Sequence, residues 1–242
     1  MERKDKIVVG IVPRIDLFLN NDPYTDNYSF VNNYSKRVIE AGGVPIGLLM
    51  DNGELSYDQL DLCDAFIIPG GNRIDKSIYL LLEYAHKNNK PVLGICMGMQ
   101  AMVMYSVLID EGVTPTNKDE YRVIYDKVKS TNPVLKKLED NSKHLHIVTR
   151  GNIDFARHEV TFNKDSLVSE LYEKDKVNGV SLHGVVVNRT GSLLNVVGNT
   201  DDGVIEAVEN KDLLWIGVQY HPEIDEDDKL IYKFIKEIEG RK

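Results

Sequence analysis

Cys96 is the residue whose surroundings point most directly to chemistry. It lies in the segment VLGICMGMQ (92–100), an apolar run that continues into Gly-x-Cys-x-Gly. A strand that turns sharply into a helix holds the residue between them in a strained conformation, and Gly94 and Gly98 would make room for it. The positive end of the helix also favours a thiolate over a thiol. The pattern therefore predicts a nucleophile, rather than the buried structural role that is usual for a free cysteine.

The second cysteine, Cys63, has no such context. It lies in the segment LCDA (62–65), just before an apolar run, and we expect it to be structural. With only two cysteines in 242 residues, a disulfide framework is implausible and a reducing cytosol is expected.

A thiolate hydrolase also needs a proton donor for the leaving amine, and histidine is the usual donor near neutral pH. Among the six histidines, His221 follows the apolar segment 213–219 and so stands at the end of a predicted strand. Glu223 comes two residues later across Pro222, which stiffens the turn. A carboxylate there could hold the other imidazole nitrogen, so we predict His221 as base and Glu223 as its orienter. The alternative is a surface turn without chemistry.

The negative charge of a tetrahedral intermediate requires backbone N–H donors. Enzymes with this kind of turn use the N–H that follows the nucleophile, here that of Met97, and a second one from another loop at a strand end. Gly70 and Gly71 end the apolar run 65–68, and glycine lets the backbone approach a ligand closely. We therefore predict Gly71 and Met97 as the oxyanion hole, against the alternative of a plain turn.

The first half of the chain alternates apolar runs with segments of helical spacing. Predicted strands cover 7–12, 44–49, 65–68 and 91–95, and predicted helices cover 27–41, 74–89 and 98–108. This alternation is typical of a doubly wound α/β fold with a mostly parallel central sheet flanked by helices. Functional residues in such sheets lie at the carboxyl ends of strands, where Gly70 and Cys96 are expected.

The second half has a different pattern. Segment 112–150 is polar and without a clear period, so we expect a loop with one helix near 133–139. Short predicted strands follow at 158–162, 185–188, 193–198, 204–208 and 213–219, and a closing helix at 228–239. These strands predict a small antiparallel extension. Because there is no repeat and no convincing boundary, we expect one domain over residues 1–242.

Composition excludes several functional classes. The net charge is −9, and an acidic surface argues against binding nucleic acid. The sequence contains no run of 18 apolar residues, so no membrane helix is expected. The first apolar run lacks the length and the cleavage site of a signal peptide, which favours a cytoplasmic protein.

Five segments together resemble the class I glutamine amidotransferase superfamily, and within it the γ-glutamyl hydrolase branch that contains the γ-glutamyl-γ-aminobutyrate hydrolases. They are AGGVP (41–45), IPGG (68–71), PVLGICMGMQ (91–100), DGVIEAVE (202–209) and GVQYHPE (217–223). The resemblance implies a flavodoxin-like amidotransferase fold, a triad of Cys96, His221 and Glu223, and no metal or organic cofactor. It also implies that the γ-glutamyl group binds near Gln100, Ser181, Leu182 and His183. Gly70, at the end of the predicted strand 65–68, is expected to contact the substrate as well.

Three features depart from the branch. Met97 stands where an arginine is usual, and His183 is followed by glycine and valine rather than by a second histidine and a glutamine. The loop after Gly71 is also short. None of these positions belongs to the triad, so they affect the expected substrate rather than the chemistry.

The expected function is hydrolysis of a small-molecule γ-glutamyl amide through a thioester at Cys96. The alternatives are a glutaminase subunit that passes ammonia to a synthase partner, a non-catalytic ligand-binding relative, and an α/β-hydrolase with a cysteine elbow. In the last of these the acid would normally precede the histidine by a long stretch, whereas Glu223 follows His221 at once. The amine released, a homodimer, a synthase partner and a lid over 112–150 all stay open.

Overall fold

The computed structural model describes residues 6–17, 26–51, 54–116, 133–139, 143–144 and 153–242, with the single positions 120, 123, 124, 126 and 128. Much of segment 112–150, including most of the expected loop or lid, lies outside the described residues. The part that is described contains the candidate site and the sheet that carries it.

The strands and helices alternate along the first half as the sequence predicts. The strands are β1 (Val8–Ile11), β2 (Arg14–Leu17), β3 (Asp26–Ser29), β4 (Val44–Gly47), β5 (Met50–Asp51), β6 (Glu54–Leu55), β7 (Ala65–Ile68), β8 (Val92–Ile95), β9 (Leu135–Lys137), β10 (Arg157–Phe162), β11 (Lys176–Val180), β12 (Val185–Val187), β13 (Asn195–Asn199), β14 (Ile205–Asn210) and β15 (Trp215–Val218). The helices are α1 (Asn32–Glu40), α2 (Tyr57–Asp61), α3 (Lys76–Lys87), α4 (Met97–Asp110), α5 (Leu167–Tyr172) and α6 (Leu230–Arg241), with a 3-10 turn at Ile153–Ala156. Within the described ranges, none of these helices combines the length and the apolar character needed to cross a membrane.

Five strands form the parallel core of the sheet, in the order β15-β8-β7-β1-β4. Successive side chains of a strand point to opposite faces, and β7 shows the consequence. Phe66 and Ile68 pack into the core that includes α3 and α4, whereas Ala65 and Ile67 pack into the core that includes α1 and α6. Helices therefore cover both faces, and the predicted doubly wound α/β class is confirmed.

An antiparallel extension continues the sheet beyond β15, through β14, β13, β10 and β11. The short strands β12 and β9 branch from β14. The helix expected near 133–139 is wrong, because Leu135–Lys137 pairs with Val185–Val187 as a strand. Pairing with a segment some fifty residues away overrides the local pattern here, as is common for short strands.

The helix predicted over 27–41 is shorter than expected. It begins at Asn32, because Asp26–Ser29 forms a hairpin with Arg14–Leu17. That pairing places Arg14, the first residue of β2, beside the loop after β7, where its side chain contacts Gly70.

The sheet order brings together the three segments that were expected to carry the chemistry. Strand β8 lies between β7 and β15, and Gly94 is in register with Ile68 on one side and with Gly217 on the other. Because all three strands run parallel, their carboxyl ends meet at one edge. The turns that follow them place Gly70, Cys96 and His221 side by side.

Candidate active site

The turn at Cys96 has the sharp geometry that the sequence predicts. Cys96 has φ 53° and ψ −107° and immediately precedes α4. A β-carbon on Gly98 would lie 2.0 Å from the carbonyl oxygen of Ile68, and one on Gly94 would lie 2.4 Å from Sδ of Met102. Only glycine permits so close an approach of helix and strand. The side chain of Cys96 thereby lines a cavity at the carboxyl end of the sheet.

His221 and Glu223 form a buried pair beside this turn. Nδ1 of His221 lies 2.7 Å from Oε1 of Glu223, and both side chains are almost fully enclosed. The backbone N–H of His221 donates to the carbonyl of Val180, which fixes the turn after β15. Since Nδ1 faces the carboxylate, the other ring nitrogen is the one left to interact with Cys96.

The pKa of His221 reflects two opposing influences. Burial lowers it, but the negative charge of Glu223 and the hydrogen bond with Cys96 outweigh burial and raise the pKa to about 10. His221 is therefore an imidazolium at neutral pH. An imidazolium beside the expected nucleophile can give its proton to a leaving group.

Tyr34 is a member of this site that the sequence analysis did not identify as functional. Its hydroxyl donates to Oε1 of Glu223 at 2.8 Å and accepts the N–H of Gly70 at 3.0 Å. Burial and the Glu223 charge raise the pKa of the hydroxyl well above its usual value, so it stays a donor. The sequence does contain an indication of this role, because a tyrosine on the inward face of a predicted helix needs a buried partner for its hydroxyl.

The loop after β7 is held from two directions. Nε of Arg14 donates to the carbonyl of Gly70 at 2.9 Å, while Tyr34 holds the N–H of the same residue. A β-carbon on Gly70 would lie 2.7 Å from Cε1 of His221, so glycine is needed for the ring to stand where it does. The next residue, Gly71, lines the cavity beside Cys96.

Met97 and Gly71 lie on the same cavity as Cys96. Met97 is the first residue of α4, and a helix leaves its first-turn N–H groups available to other acceptors. The expected pair of oxyanion donors is thus brought to one place, although the donor role stays a prediction.

The cavity around Cys96 has two lobes. One lobe, of about 340 Å³, is lined by Arg14, Arg73, Asp75 and His221 among others. The second, of about 670 Å³, extends past Met97 toward the β12 segment. Nothing in the local sequence around the two arginines or the aspartate marks them as functional.

The five residues expected near the substrate are placed differently from one another. Leu182 lines both lobes, and Gln100 and His183 line the second one. Nε2 of Gln100 donates to the carbonyl of Val185 at 3.0 Å and to Oε1 of Gln219 at 3.1 Å. Gly70 packs behind the ring of His221 instead.

Ser181 is fully buried, and its hydroxyl donates to the carbonyl of His144 at 2.7 Å. It therefore supports the wall on which Leu182 lies, and its hydroxyl is directed away from the cavity toward the backbone of His144.

A second group of polar side chains lies next to this wall. His144, His158, His183 and Glu206 offer ligand atoms that all lie within 4.8 Å of one another, so this group could hold a metal ion. Burial lowers the pKa of His183. Burial raises that of Glu206, but contacts with the three histidines outweigh it and hold the pKa of the carboxyl well below its usual range.

Comparison with known proteins supports the resemblance noted in the sequence. The glutamine amidotransferase class-I family model matches residues 24–237. A glutamine amidotransferase-like protein of Rickettsia prowazekii is 27% identical, over 96% of this chain and 96% of its own length. Another from Lactococcus lactis is 25% identical over 82% of each chain. The superfamily inferred from the five sequence segments is confirmed.

CTP synthases are also similar to this chain. That of Thermosipho africanus is 30% identical over 68% of this chain, but the match spans only 32% of the synthase. Among solved structures, a Trypanosoma brucei CTPS glutaminase domain with bound acivicin superposes with a TM-score of 0.67, at 20% identity and over 98% and 95% of the two chains. At that identity the structural likeness shows the shared fold.

Proposed function

The chain belongs to the class I glutamine amidotransferase family, and we propose that it hydrolyses a γ-glutamyl amide through a triad of Cys96, His221 and Glu223. Family membership implies cysteine-dependent amidase or glutaminase activity in general. The observation that carries the finer proposal is the contact chain from Cys96 through the His221 ring to Glu223, whose last link measures 2.7 Å. A nucleophile, a proton carrier and an orienting carboxylate in that order suit acyl transfer.

In the first step the Cys96 thiolate attacks the γ-carbonyl carbon of the substrate. A carbon–sulfur bond forms, and the carbonyl oxygen becomes an oxyanion. The N–H groups of Met97 and Gly71 donate to that oxygen and stabilise its charge. Their place on one cavity wall with Cys96 supports this role.

In the second step the carbon–nitrogen bond breaks. The His221 imidazolium gives its proton to the departing amine, which leaves a γ-glutamyl thioester on Cys96 and a neutral imidazole. Water then enters, gives a proton to His221 and adds its hydroxide to the thioester carbon. The carbon–sulfur bond then breaks, which releases glutamate and regenerates the Cys96 thiolate beside the His221 imidazolium.

The charges of the smaller lobe support a γ-glutamyl substrate. A γ-glutamyl group carries a carboxylate and an ammonium group, both attached to its α-carbon. The lobe is lined by two guanidinium groups, those of Arg14 and Arg73, and by the carboxylate of Asp75. Arg73 and Asp75 lie 2.7 Å apart at Nε and Oδ1, so the lobe presents both signs of charge close together.

The experiment is capture of the acyl group. The protein is mixed with γ-glutamyl p-nitroanilide, and the reaction is quenched in acid. After digestion, the mass of the peptide that contains Cys96 is measured by mass spectrometry. We expect the mass of a γ-glutamyl thioester on that peptide and release of the coloured amine. Cys96→Ala should abolish both, while Cys63→Ala serves as the matched control. Full hydrolysis by the Cys96→Ala protein would refute the proposal.

A second candidate function is a glutaminase that delivers ammonia to a synthase. The similarity to CTP synthases and to a glutaminase domain favours it. The same residues would act, but L-glutamine would be the substrate, and the chain without its synthase would have very low glutaminase activity. Comparing kcat/KM for L-glutamine with and without a candidate synthase separates the two. Rapid turnover by the chain alone, unchanged by the synthase, excludes the second function.

A further inference from the structure

Four buried side chains from separate parts of the fold converge next to the active-site wall. His158 comes from β10, Glu206 from β14, His183 from the turn before β12, and His144 from an isolated turn. Glu206 has no solvent exposure, and the three histidines are almost fully enclosed. We refer to these four residues as the histidine–glutamate cluster.

Glu206 is the centre of this cluster. Its Oε1 lies 3.1 Å from Nε2 of His183 and 3.4 Å from Nδ1 of His144, and its Oε2 lies 3.3 Å from Nε2 of His158. One carboxylate is thus within contact distance of three imidazole rings. The ring centroids of His144 and His158 are 4.7 Å apart, so the rings also pack against one another.

These contacts do not have hydrogen-bond geometry. Within the described part of the chain, both ring nitrogens of His158, both of His183 and both oxygens of Glu206 have no hydrogen-bond partner. Buried polar groups are almost always hydrogen-bonded, and an uncompensated buried carboxylate costs several kcal/mol. Short nitrogen–oxygen distances without hydrogen-bond geometry are instead expected where the lone pairs of the ring nitrogens and of the carboxylate point to one common position.

We propose that His144, His158, His183 and Glu206 bind a divalent transition-metal ion, and that zinc fits this donor set best. Zinc is held by imidazole nitrogens and carboxylate oxygens at about 2.0–2.2 Å in a tetrahedron, whose edges are then about 3.3–3.6 Å. The three observed separations from Glu206 are close to that edge length. Three imidazoles with one carboxylate suit zinc far better than magnesium or calcium, which prefer oxygen ligands.

Asp202 completes the arrangement from outside. Its Oδ2 lies 3.1 Å from Nε2 of His144, so it accepts the N–H of that nitrogen and leaves Nδ1 directed at the cluster. Metal-bound histidines typically have their second nitrogen held by a carboxylate in this way, which fixes the tautomer and the ring orientation.

The metal ion has a structural role in this arrangement. Four protein ligands fill a tetrahedral zinc site and leave no open position for substrate. The carbonyl of His144 accepts the N–H of His183 at 3.1 Å and the hydroxyl of Ser181 at 2.7 Å. The ion therefore fixes the segment that presents Leu182 to the catalytic cavity. The resemblance to the γ-glutamyl hydrolase branch implies no metal, and the buried cluster leads to the opposite inference.

Metal content is the direct test. The full chain, prepared without a histidine tag, is stripped with chelator, incubated with one equivalent of zinc sulfate, dialysed and assayed by plasma mass spectrometry. We expect one zinc per chain. A chain that retains no transition metal, or only magnesium or calcium, overturns the proposal.

Variants give the test its specificity. Glu206→Gln keeps the side-chain shape and removes the charge, and we expect it to retain zinc at least ~10-fold more weakly. His86→Gln is the matched control, since His86 lies on α3 against Tyr105, away from the cluster. Cys96→Ala should keep the full metal content, so the outcome does not depend on the proposed hydrolysis. Equal zinc retention by Glu206→Gln and the control contradicts the assignment.

A measurement on the unaltered chain covers the case in which Glu206→Gln does not fold. The stripped protein is loaded with cobalt(II), whose visible spectrum distinguishes four-coordinate from six-coordinate sites, and thermal unfolding is compared with and without chelator. We expect the four-coordinate spectrum and a lower Tm in chelator, because an ion that binds only the folded state stabilises it. A six-coordinate spectrum with an unchanged Tm contradicts the proposal.

Discussion

The hydroxyl of Tyr34 donates a 2.8 Å hydrogen bond to Oε1 of Glu223, the same oxygen that lies 2.7 Å from Nδ1 of His221. That hydroxyl also accepts the N–H of Gly70, the residue before the proposed oxyanion donor Gly71. One side chain on α1 thus connects the acid of the proposed triad with the loop that would hold the oxyanion. Tyr34 is a positioning residue in this scheme, since it acts through Glu223 and Gly70.

Tyr34→Phe should lower kcat by on the order of 10-fold and leave KM nearly unchanged. A hydrogen bond to a charged group contributes about 1.5–3 kcal/mol, and its loss here frees both the carboxylate and the Gly70 loop. The measurement is steady-state hydrolysis of a γ-glutamyl amide, together with a thermal unfolding curve to show that the fold persists.

Tyr84→Phe is the matched control for that substitution. The Tyr84 hydroxyl also donates to a carboxylate, that of Asp61, but neither residue lines the cavity. We expect this variant to keep its kcat. An equal loss of kcat in both variants would assign the Tyr34 effect to general destabilisation.

The pH dependence of the reaction should reveal the Glu223 contact. A pKa of about 10 for His221 predicts that kcat/KM stays high through pH 9 and falls as the imidazolium is lost near pH 10. Glu223→Gln removes the largest influence that raises this pKa, so the alkaline limb should move to lower pH. Asp225→Asn, two residues further on, should leave the limb in place. An unmoved limb in Glu223→Gln contradicts the assignment.

The same pKa has a consequence for stability. The folded value of about 10 lies above the ~6.5 of an unfolded histidine. Raised pKa values stabilise the fold fully below the unfolded value, and the contribution is lost as the pH rises through the folded one. Between pH 6.5 and 10 the wild type should therefore lose stability more steeply than Glu223→Gln, as measured by urea unfolding at several pH values.

The elements that the sequence predicts best are those with a strong local signal. Cys96 lies between two glycines at a strand–helix junction, and Glu223 follows His221 across a proline, so type and spacing alone point to both. Four of the five parallel strands, β1, β7, β8 and β15, are continuous apolar runs, and all four are buried on both faces. In each case the information lies within a few residues of the position concerned.

The features that the sequence does not predict depend on contacts between distant segments. The strand Leu135–Lys137 exists because it pairs with Val185–Val187, and the hairpin that carries Arg14 exists because β2 pairs with β3. The histidine–glutamate cluster draws on four segments spread over more than sixty positions. No local pattern marks these residues, since each of them by itself is typical of an ordinary strand or turn.

The two cysteines should differ strongly in reactivity. Burial raises the pKa of the Cys63 thiol to about 11, so at pH 7 only about one molecule in 10,000 carries a thiolate there. Cys96 opens on the cavity next to the imidazolium of His221. Iodoacetamide at pH 7 should therefore modify the peptide that contains Cys96 at least ~100-fold faster. Labelling of the two peptides is followed by mass spectrometry. Equal labelling rates would contradict the proposed activation of Cys96 by His221.

Gly70→Ala tests whether catalysis depends on the position of the His221 ring. The added β-carbon would lie 2.7 Å from Cε1 of His221, next to the Nδ1 atom that contacts Glu223, so the ring must shift. A displacement of about 1 Å can cost on the order of 100-fold in rate. We therefore expect kcat to fall by that factor with little change in Tm. Gly240→Ala is the control, because its β-carbon meets nothing within 4 Å. If Gly70→Ala retains full activity, the imidazole does not need the position it holds against Cys96, and the proposed triad geometry is wrong.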